Sequence, residues 1–283
     1  MKRYLYILIA IVMASCSEST LQEEQPEYVD VSLSAYASDI FINEVRSRSG
    51  DDAMPAGCKV RYVIEAWSTD DNPILFYRGV ETKDDLTSGL NHSFRIIAGE
   101  YDFLFWADYV SSSASNTTAD NHYNTDTSDG LKNVTIINDD SKYTASNLSR
   151  DCFAGQKMDV TVSSSVDMGS IKLSRPMAKL VVKNSDASAV GNNKSVSITF
   201  TESIPNGHNV WSGDVITDED ITPTYPNTTE DDEELAFDYI FMTVPTTYDI
   251  TMTIDGKTRT STATPFEPNT ITNITSNFFE TTD

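Results

Sequence analysis

Short apolar runs with a period of two recur along this chain, separated by polar, turn-forming stretches, and no segment carries a helical period. Val29, Val31, Leu33 and Ala35 alternate with Asp30, Ser32, Ser34 and Tyr36, the pattern of a strand with one buried face. Val60, Tyr62, Ile64 and Ala66 alternate in the same way with Arg61, Val63, Glu65 and Trp67, and shorter runs follow at 74–77 and 94–97. From Tyr101 to Asp108 both alternating sets are largely apolar, so this strand is expected to be central and covered on both faces. Further strands are expected at 134–137, 158–162, 169–173, 180–183, 196–201, 237–244, 250–254, 257–263 and 270–278. Asp255-Gly256, between Ile254 and Lys257, is a two-residue hairpin signal. The fold class expected from this pattern is all-β, and the spacing of strands and turns suits β-sandwiches.

With 283 residues there is room for two such sandwiches. Four segments are expected: a signal peptide at 1–15, an acidic tether at 16–27, and two sandwiches at 28–170 and 171–283. In the stretch from Ser111 to Gly130, 16 of the 20 residues are Ser, Thr, Asn, Asp or Gly, which predicts a long surface loop.

The N-terminus points to export. Met1-Lys2-Arg3 is followed by the apolar run Tyr4 to Ala14, shorter than the ~20 residues of a spanning helix, and then by Ser15 and Cys16. Met13-Ala14-Ser15-Cys16 resembles a bacterial lipobox, with Met13 where Leu or Val is usual. Acylation of Cys16, with palmitate among the chains, would anchor the mature protein without spanning the bilayer. Asp and Glu number 43 against 20 Lys and Arg, a formal net charge of -23, and removing 1–15 takes away two bases and no acid. Such a chain repels nucleic-acid phosphates and anionic lipid surfaces. Cys58 and Cys152 remain, either as a bridge or as two isolated buried thiols.

No catalytic signature is present: the sequence lacks a GxSxG elbow, HExxH, a GxxxxGK[ST] loop and GxGxxG after a strand. His92, His122 and His208 lie far apart and read as surface or hairpin residues. Asn124 to Gly130 invites comparison with a calcium loop, but with Gly130 at the sixth position the twelfth is Ile136, so a solvated loop is expected. The acidic run 230–234 reads as solvated too. Neither a metal nor a cofactor is expected, nor an enzyme.

Cys16, the strand at 29–35, the block GEYDFLFWADY at 99–109, LSRPMAKLVV at 173–182 and PNTITNI at 268–274 together resemble the fimbrillin-like lipoproteins of Bacteroidetes, the type V pilus subunit family. The resemblance spans essentially the whole chain. Met177 stands where that family often has an aromatic or aliphatic residue, and the chain ends in FFETTD. The resemblance implies two tandem transthyretin-like β-sandwiches, a lipid anchor in the outer membrane, a surface-exposed fimbrium, and assembly with other fimbrial subunits by strand exchange once a protease has removed the first strand.

The residues themselves offer a cleavage site. Arg46 and Arg48 lie in a polar stretch just after the first strand, where they either admit a trypsin-like protease or merely solubilise a loop. Cutting there would release 16–46 or 16–48 and leave an apolar groove with unpaired backbone on both sides. The C-terminal segment 268–279, with Ile271 and Ile274, is nominated as the donor strand. In adhesion, host or bacterial surface glycans or proteins are the expected targets. A second function from another class is glycan binding by a surface lipoprotein through exposed aromatics, with Trp67, Trp106 and Trp211 as candidates, Trp106 tending to the core and Trp211, beside Gly213, to the surface.

Overall fold

A computed structural model of the chain describes residues 26–37, 41–42, 54–86, 88–113, 120–138, 143–186, 190–229 and 233–279. The strands, in chain order, are β1 Tyr28–Ala37, β2 Cys58–Ser68, β3 Leu75–Lys83, β4 Leu90–Ile97, β5 Gly99–Ser111, β6 Tyr123–Asn124, β7 Val134–Ile136, β8 Cys152–Val162 and β9 Val166–Leu173. They continue as β10 Met177–Asn184, β11 Val196–Phe200, β12 Gly207–His208, β13 Val215–Ile216, β14 Glu234–Phe241, β15 Thr246–Ile254, β16 Lys257–Phe266 and β17 Ile271–Ser276. Helix is confined to two 3-10 turns among the described residues, Gly130–Asn133 and Leu148–Arg150. The all-β reading of the period-two pattern is correct.

Four sheets stack in layers. The sheet β4-β1-β9 faces β3-β2-β5-β8 across a core that joins Val31 and Leu33 of β1 to Ile64 of β2, Phe103 and Phe105 of β5 and Leu173 of β9. The sheet β14-β10-β17 faces β11-β15-β16 across another, with Leu180 and Val182 of β10 against Ile250 and Met252 of β15. Between the two sandwiches lies a further apolar cluster: Val63, Trp67, Leu104 and Trp106, on the far face of β2 and β5, meet Val181, Phe237 and Phe241 of β10 and β14. A small sheet, β13-β12-β7-β6, flanks this junction and draws strands from both halves of the chain. β2 and β5 are therefore buried on both faces, which explains why neither face of β5 reads as polar.

The same arrangement occurs twice. In each sandwich the first strand is the middle of its sheet, antiparallel to one neighbour (β1 with β4, β10 with β14) and parallel to the last strand (β1 with β9, β10 with β17). The facing sheets correspond as β2-β5-β8 and β11-β15-β16, and β3 has no counterpart in the second. The division expected at 170/171 falls inside β9, whose Ile171 and Leu173 belong to the first core. At the expected hairpin, Asp255 and Gly256 have φ of +48° and +77°, the left-handed pair that a two-residue turn between twisted strands requires.

The junction also buries charge. Arg150 is fully buried, paired with Asp238 of β14 and lying 4.0 Å from the ring centroid of Tyr143, while Tyr225 donates to the other Asp238 oxygen at 3.3 Å. Arg61 makes a bidentate pair with Asp108 at 2.6 and 2.9 Å and reaches Asp120 at 2.5 Å. Asp238→Ala leaves Arg150 buried without its counter-ion, and should lower the unfolding free energy by about 3–5 kcal/mol in guanidinium titrations. A loss under about 1 kcal/mol would show that Arg150 finds water or another carboxylate.

Candidate interaction site: the slot of the first strand

β1 is held by both neighbours. It runs antiparallel to β4 from the Tyr28↔Ile97 pair to Ala35↔Leu90, and parallel to β9 from Val31↔Val166 to Ala37↔Leu173, with a register shift between Ser32 and Ser34. Val29, Val31, Leu33 and Ala35 point into the core and are at most 6 % exposed. Burying each of the larger ones stabilises by ~1.5–3 kcal/mol, so vacating the slot would remove several kcal/mol from a fold whose whole margin is ~5–15 kcal/mol. The first sandwich therefore depends on a strand in this slot. The outer face of β1 is polar between two exposed tyrosines, Tyr28 and Tyr36, and a cleft of about 450 Å³ runs along it past Asp30, Ser32, Arg95 and Asp167.

The end of the slot meets Arg175, in the connection from β9 to β10. Its guanidinium pairs with both Asp151 oxygens at 2.6 Å and donates to Asn269 Oδ1 at 2.5 Å, at the turn that leads into β17. Burial works against its charge, but Asp151 more than compensates and holds the group protonated. Against this guanidinium lies Phe41, buried in the connection after β1. In the sequence Phe41 stands between Ile40 and Ile42, an apolar run too short to show a period.

Of the expected site residues, Cys16, Arg46 and Arg48 lie outside the described residues. Ile271 and Ile274 are half-buried on β17, an edge strand whose single ladder is to β10; Ile274 packs on the second core and Ile271 on the junction cluster. Phe278 and Phe279, beyond the strand, turn into the core, where Asn184 Oδ1 accepts from both backbone N–H groups at 2.8 and 3.1 Å. Cys58 and Cys152 are both free thiols, and burial pushes each one's pKa up.

Trp106 is wholly buried, as expected of a central strand, and Trp67, expected as an exposed candidate, is only 3 % exposed, so neither offers a face to a sugar. Trp211 is half-buried and meets Trp67 edge-on at 6.3 Å, with the Lys132 ammonium 3.7 Å from the Trp67 ring centroid and 5.6 Å from that of Trp211. This cluster is built around the buried Glu65 carboxylate, which pairs with Arg78 and accepts from Trp67 Nε1 at 2.8 Å and from the Leu131 N–H at 2.9 Å. The Asn124–Gly130 stretch is solvated at 126–129, as expected, and pinned at its two ends. Thr125 is buried and bonded to Asp120, and Gly130, with φ +51°, sits so close to Glu65 that a Cβ would lie 2.3 Å from its Oε1.

The histidines are not surface residues either: His122 and His208 are buried, and His92 is held between Tyr77 and Glu81 at 2.5 Å each. His122 bonds to Ser149 at 2.7 Å, and His208 stacks on Phe241. No group of three or more His, Cys, Asp or Glu among the described residues is placed to hold a metal ion.

The chain belongs to the DUF6562 family, a family of unknown function whose sequence pattern matches residues 23–283. No curated protein matches it. Among solved structures it is similar to a protein of Bacteroides thetaiotaomicron provisionally described as polysaccharide-binding, at 12 % identity and TM-score 0.53, covering 89 % of this chain and 91 % of that one. A provisional cell adhesion protein of Bacteroides ovatus is 17 % identical, with TM-score 0.47 and coverage of 89 % and 93 %. The tip fimbrial protein Mfa3 of Porphyromonas gingivalis, with a C-terminal truncation, is 10 % identical, with TM-score 0.45 and coverage of 83 % and 81 %. At these identities the first likeness speaks to the fold alone.

Burial lowers the His208 pKa to about 4, against about 6.5 when unfolded. Between those values the unfolded chain binds more protons, so stability should fall as pH drops from about 6.5 towards 4, by up to ~3 kcal/mol for this group, with no contribution above. Thermal melts of His208→Gln should accordingly vary less between pH 7 and pH 4.5 than those of the parent; equal slopes would remove His208 as the cause.

Proposed function

We propose that this protein is a non-enzymatic cell-surface lipoprotein of adhesion, a fimbrial subunit or anchor of the type V pilus class, and that neighbours join it by replacing β1. The observation that carries this reading is the place of β1: it is the middle strand of its sheet, yet the first strand among the described residues. A cut after Arg46 or Arg48 frees its C-terminal end, and the 16–27 tether at the other end carries the acylated Cys16. The slot between β4 and β9 then accepts a strand from another copy, for which 268–279 is the nominated donor. A contact of this kind runs head to tail and does not close, so it propagates into a filament. The likeness to a fold provisionally described as polysaccharide-binding is compatible with a glycan as the adhesion target, and a protein surface is the other.

Two measurements test the anchor and the cut. Cys16→Ala, expressed in a Gram-negative host, should move the protein from the membrane to the soluble fraction; unchanged detergent partition contradicts lipidation. A limited tryptic digest should give new N-termini at Ser47 or Ser49 first. Lys132 and Lys194 are the competing sites, and both are restrained, Lys132 over Trp67 and Lys194 by Asp255 at 3.1 Å and by the Thr228 backbone. Earliest cleavage at either would contradict maturation at 46–48.

The donor is tested separately. Ile271→Asp combined with Ile274→Asp should abolish oligomers of cut protein while the monomer still folds at room temperature. A monomer that no longer folds would show that the second sandwich cannot release β17 and remove it as the donor.

A further inference from the structure

All ladder bonds of β4 come from β1. β4 is an edge strand, and its one ladder among the described residues is the antiparallel one in which Leu33 faces His92. With β1 gone, β4 would be left to its side chains and to the chain at its two ends. His92 supplies a hold of another kind. β3 and β4 are consecutive but belong to facing sheets, and the His92 imidazole reaches β3 at two points: Nε2 lies 2.5 Å from Tyr77 Oη, and Nδ1 lies 2.5 Å from Glu81 Oε1. Lys83 meets the other Glu81 oxygen at 3.2 Å. Phe94, two residues along β4 from His92, stacks on the Tyr77 ring at 3.8 Å between centroids and 11° between planes.

β3 is shaped to take this side chain. Tyr77, Gly79 and Glu81 share one face of the strand, and a Cβ on Gly79 would lie 2.6 Å from Tyr77 Oη and 3.0 Å from His92 Nε2. Glycine thus leaves the room in which the imidazole bridges its two partners, although φ at this residue is not left-handed and makes no demand for glycine. Burial pushes the Tyr77 pKa up, and Glu81 raises it further. Burial also works to raise that of Glu81, but the bonds from His92 and Lys83 outweigh it and leave it lowered. Tyr77 keeps its proton and Glu81 its charge, so the chain of bonds has one direction: Tyr77 O–H donates to Nε2, and Nδ1–H donates to Glu81. The second sandwich has no counterpart of β3, so the strand that carries this socket accompanies β1 and its slot alone.

We propose that Tyr77, Gly79, Glu81 and His92 form a clasp that holds β4 against the facing sheet while the slot is empty, so that an incoming strand meets a standing wall. The inference rests on the strand-replacement reading above and gives these residues a positioning role in it. A contact already present before the strand arrives sets how much of the body is competent to receive it; a contact made only on arrival sets how long the strand stays.

The test uses the chain cut at 46–48 with a fluorophore on its N-terminal fragment, and reads association and dissociation from anisotropy after serial dilution. His92→Leu, which keeps the apolar volume and neither bond, should slow association at least tenfold and change dissociation less than threefold. Gly79→Ala, which crowds the clasp from the other strand, should do the same. Ser93→Ala, at an exposed position on β4, should change neither rate. Association within twofold of the parent in both clasp variants, with any loss confined to dissociation, overturns the proposal.

The uncut chain separates this failure from that of strand replacement. There, His92→Leu should raise amide exchange along β4 at least tenfold, whereas Ser93→Ala should leave it unchanged. A fragment that stays bound to the parent at every dilution, with the rise along β4 seen, overturns strand replacement and with it the role of the clasp at an empty slot, while its hold on β4 stands. Unchanged exchange along β4 overturns the clasp itself.

Discussion

A three-stranded sheet cannot persist without its middle strand or a substitute, and here that strand is the first among the described residues. β1 satisfies the backbone of β4 on one side and of β9 on the other, and closes the first core with four inward side chains. The second sandwich has the same plan, with β10 between β14 and β17, but β10 lies in the interior of the described chain. The two middle strands are thus equivalent in their sheets and unequal in their connections. Only β1 is followed by an arginine pair in a polar stretch and preceded by a polar segment.

The junction makes the two sandwiches one packed unit. Its apolar cluster covers the far faces of β2, β5, β10 and β14, and its polar contacts cross from one half to the other: Arg150 pairs with Asp238, and Arg175 pairs with Asp151 and donates to Asn269. Buried pairs of this type contribute modestly to net stability, but breaking one strands a charge, so they fix how the halves meet. Arg175 has a second consequence. It links the connection after β1, through Phe41, to the turn that opens β17, so both connections touch the same side chain.

Much of this was legible in the sequence, for a physical reason. Alternation reports a sheet with one dry face, and β1 shows it residue by residue; the doubly apolar run at 101–108 reports a strand dry on both faces; Asp255-Gly256 reports the φ values of its turn. What escaped notice lies where polar side chains are buried. Arg61 and Glu65 alternate with apolar residues on β2 and read as a solvent face, but they point into the junction, satisfied by Asp108 and Asp120 and by Arg78 and Trp67. Trp67 and the histidines depart from expectation for the same cause: their partners are distant in sequence, and no local pattern reveals them. The site divides likewise, with the slot strand visible in its own residues and Phe41 visible only beside Arg175.

The central claim is that β1 is a replaceable part. Mature protein cut at 46–48 can be examined by native mass spectrometry and by electrophoresis in SDS at room temperature. If β1 is replaceable, the N-terminal fragment separates from the body as a ladder of oligomers forms, each step adding one body without its fragment. A cut protein that stays monomeric, with its fragment bound until the whole fold melts, would contradict the claim and leave β1 an ordinary middle strand.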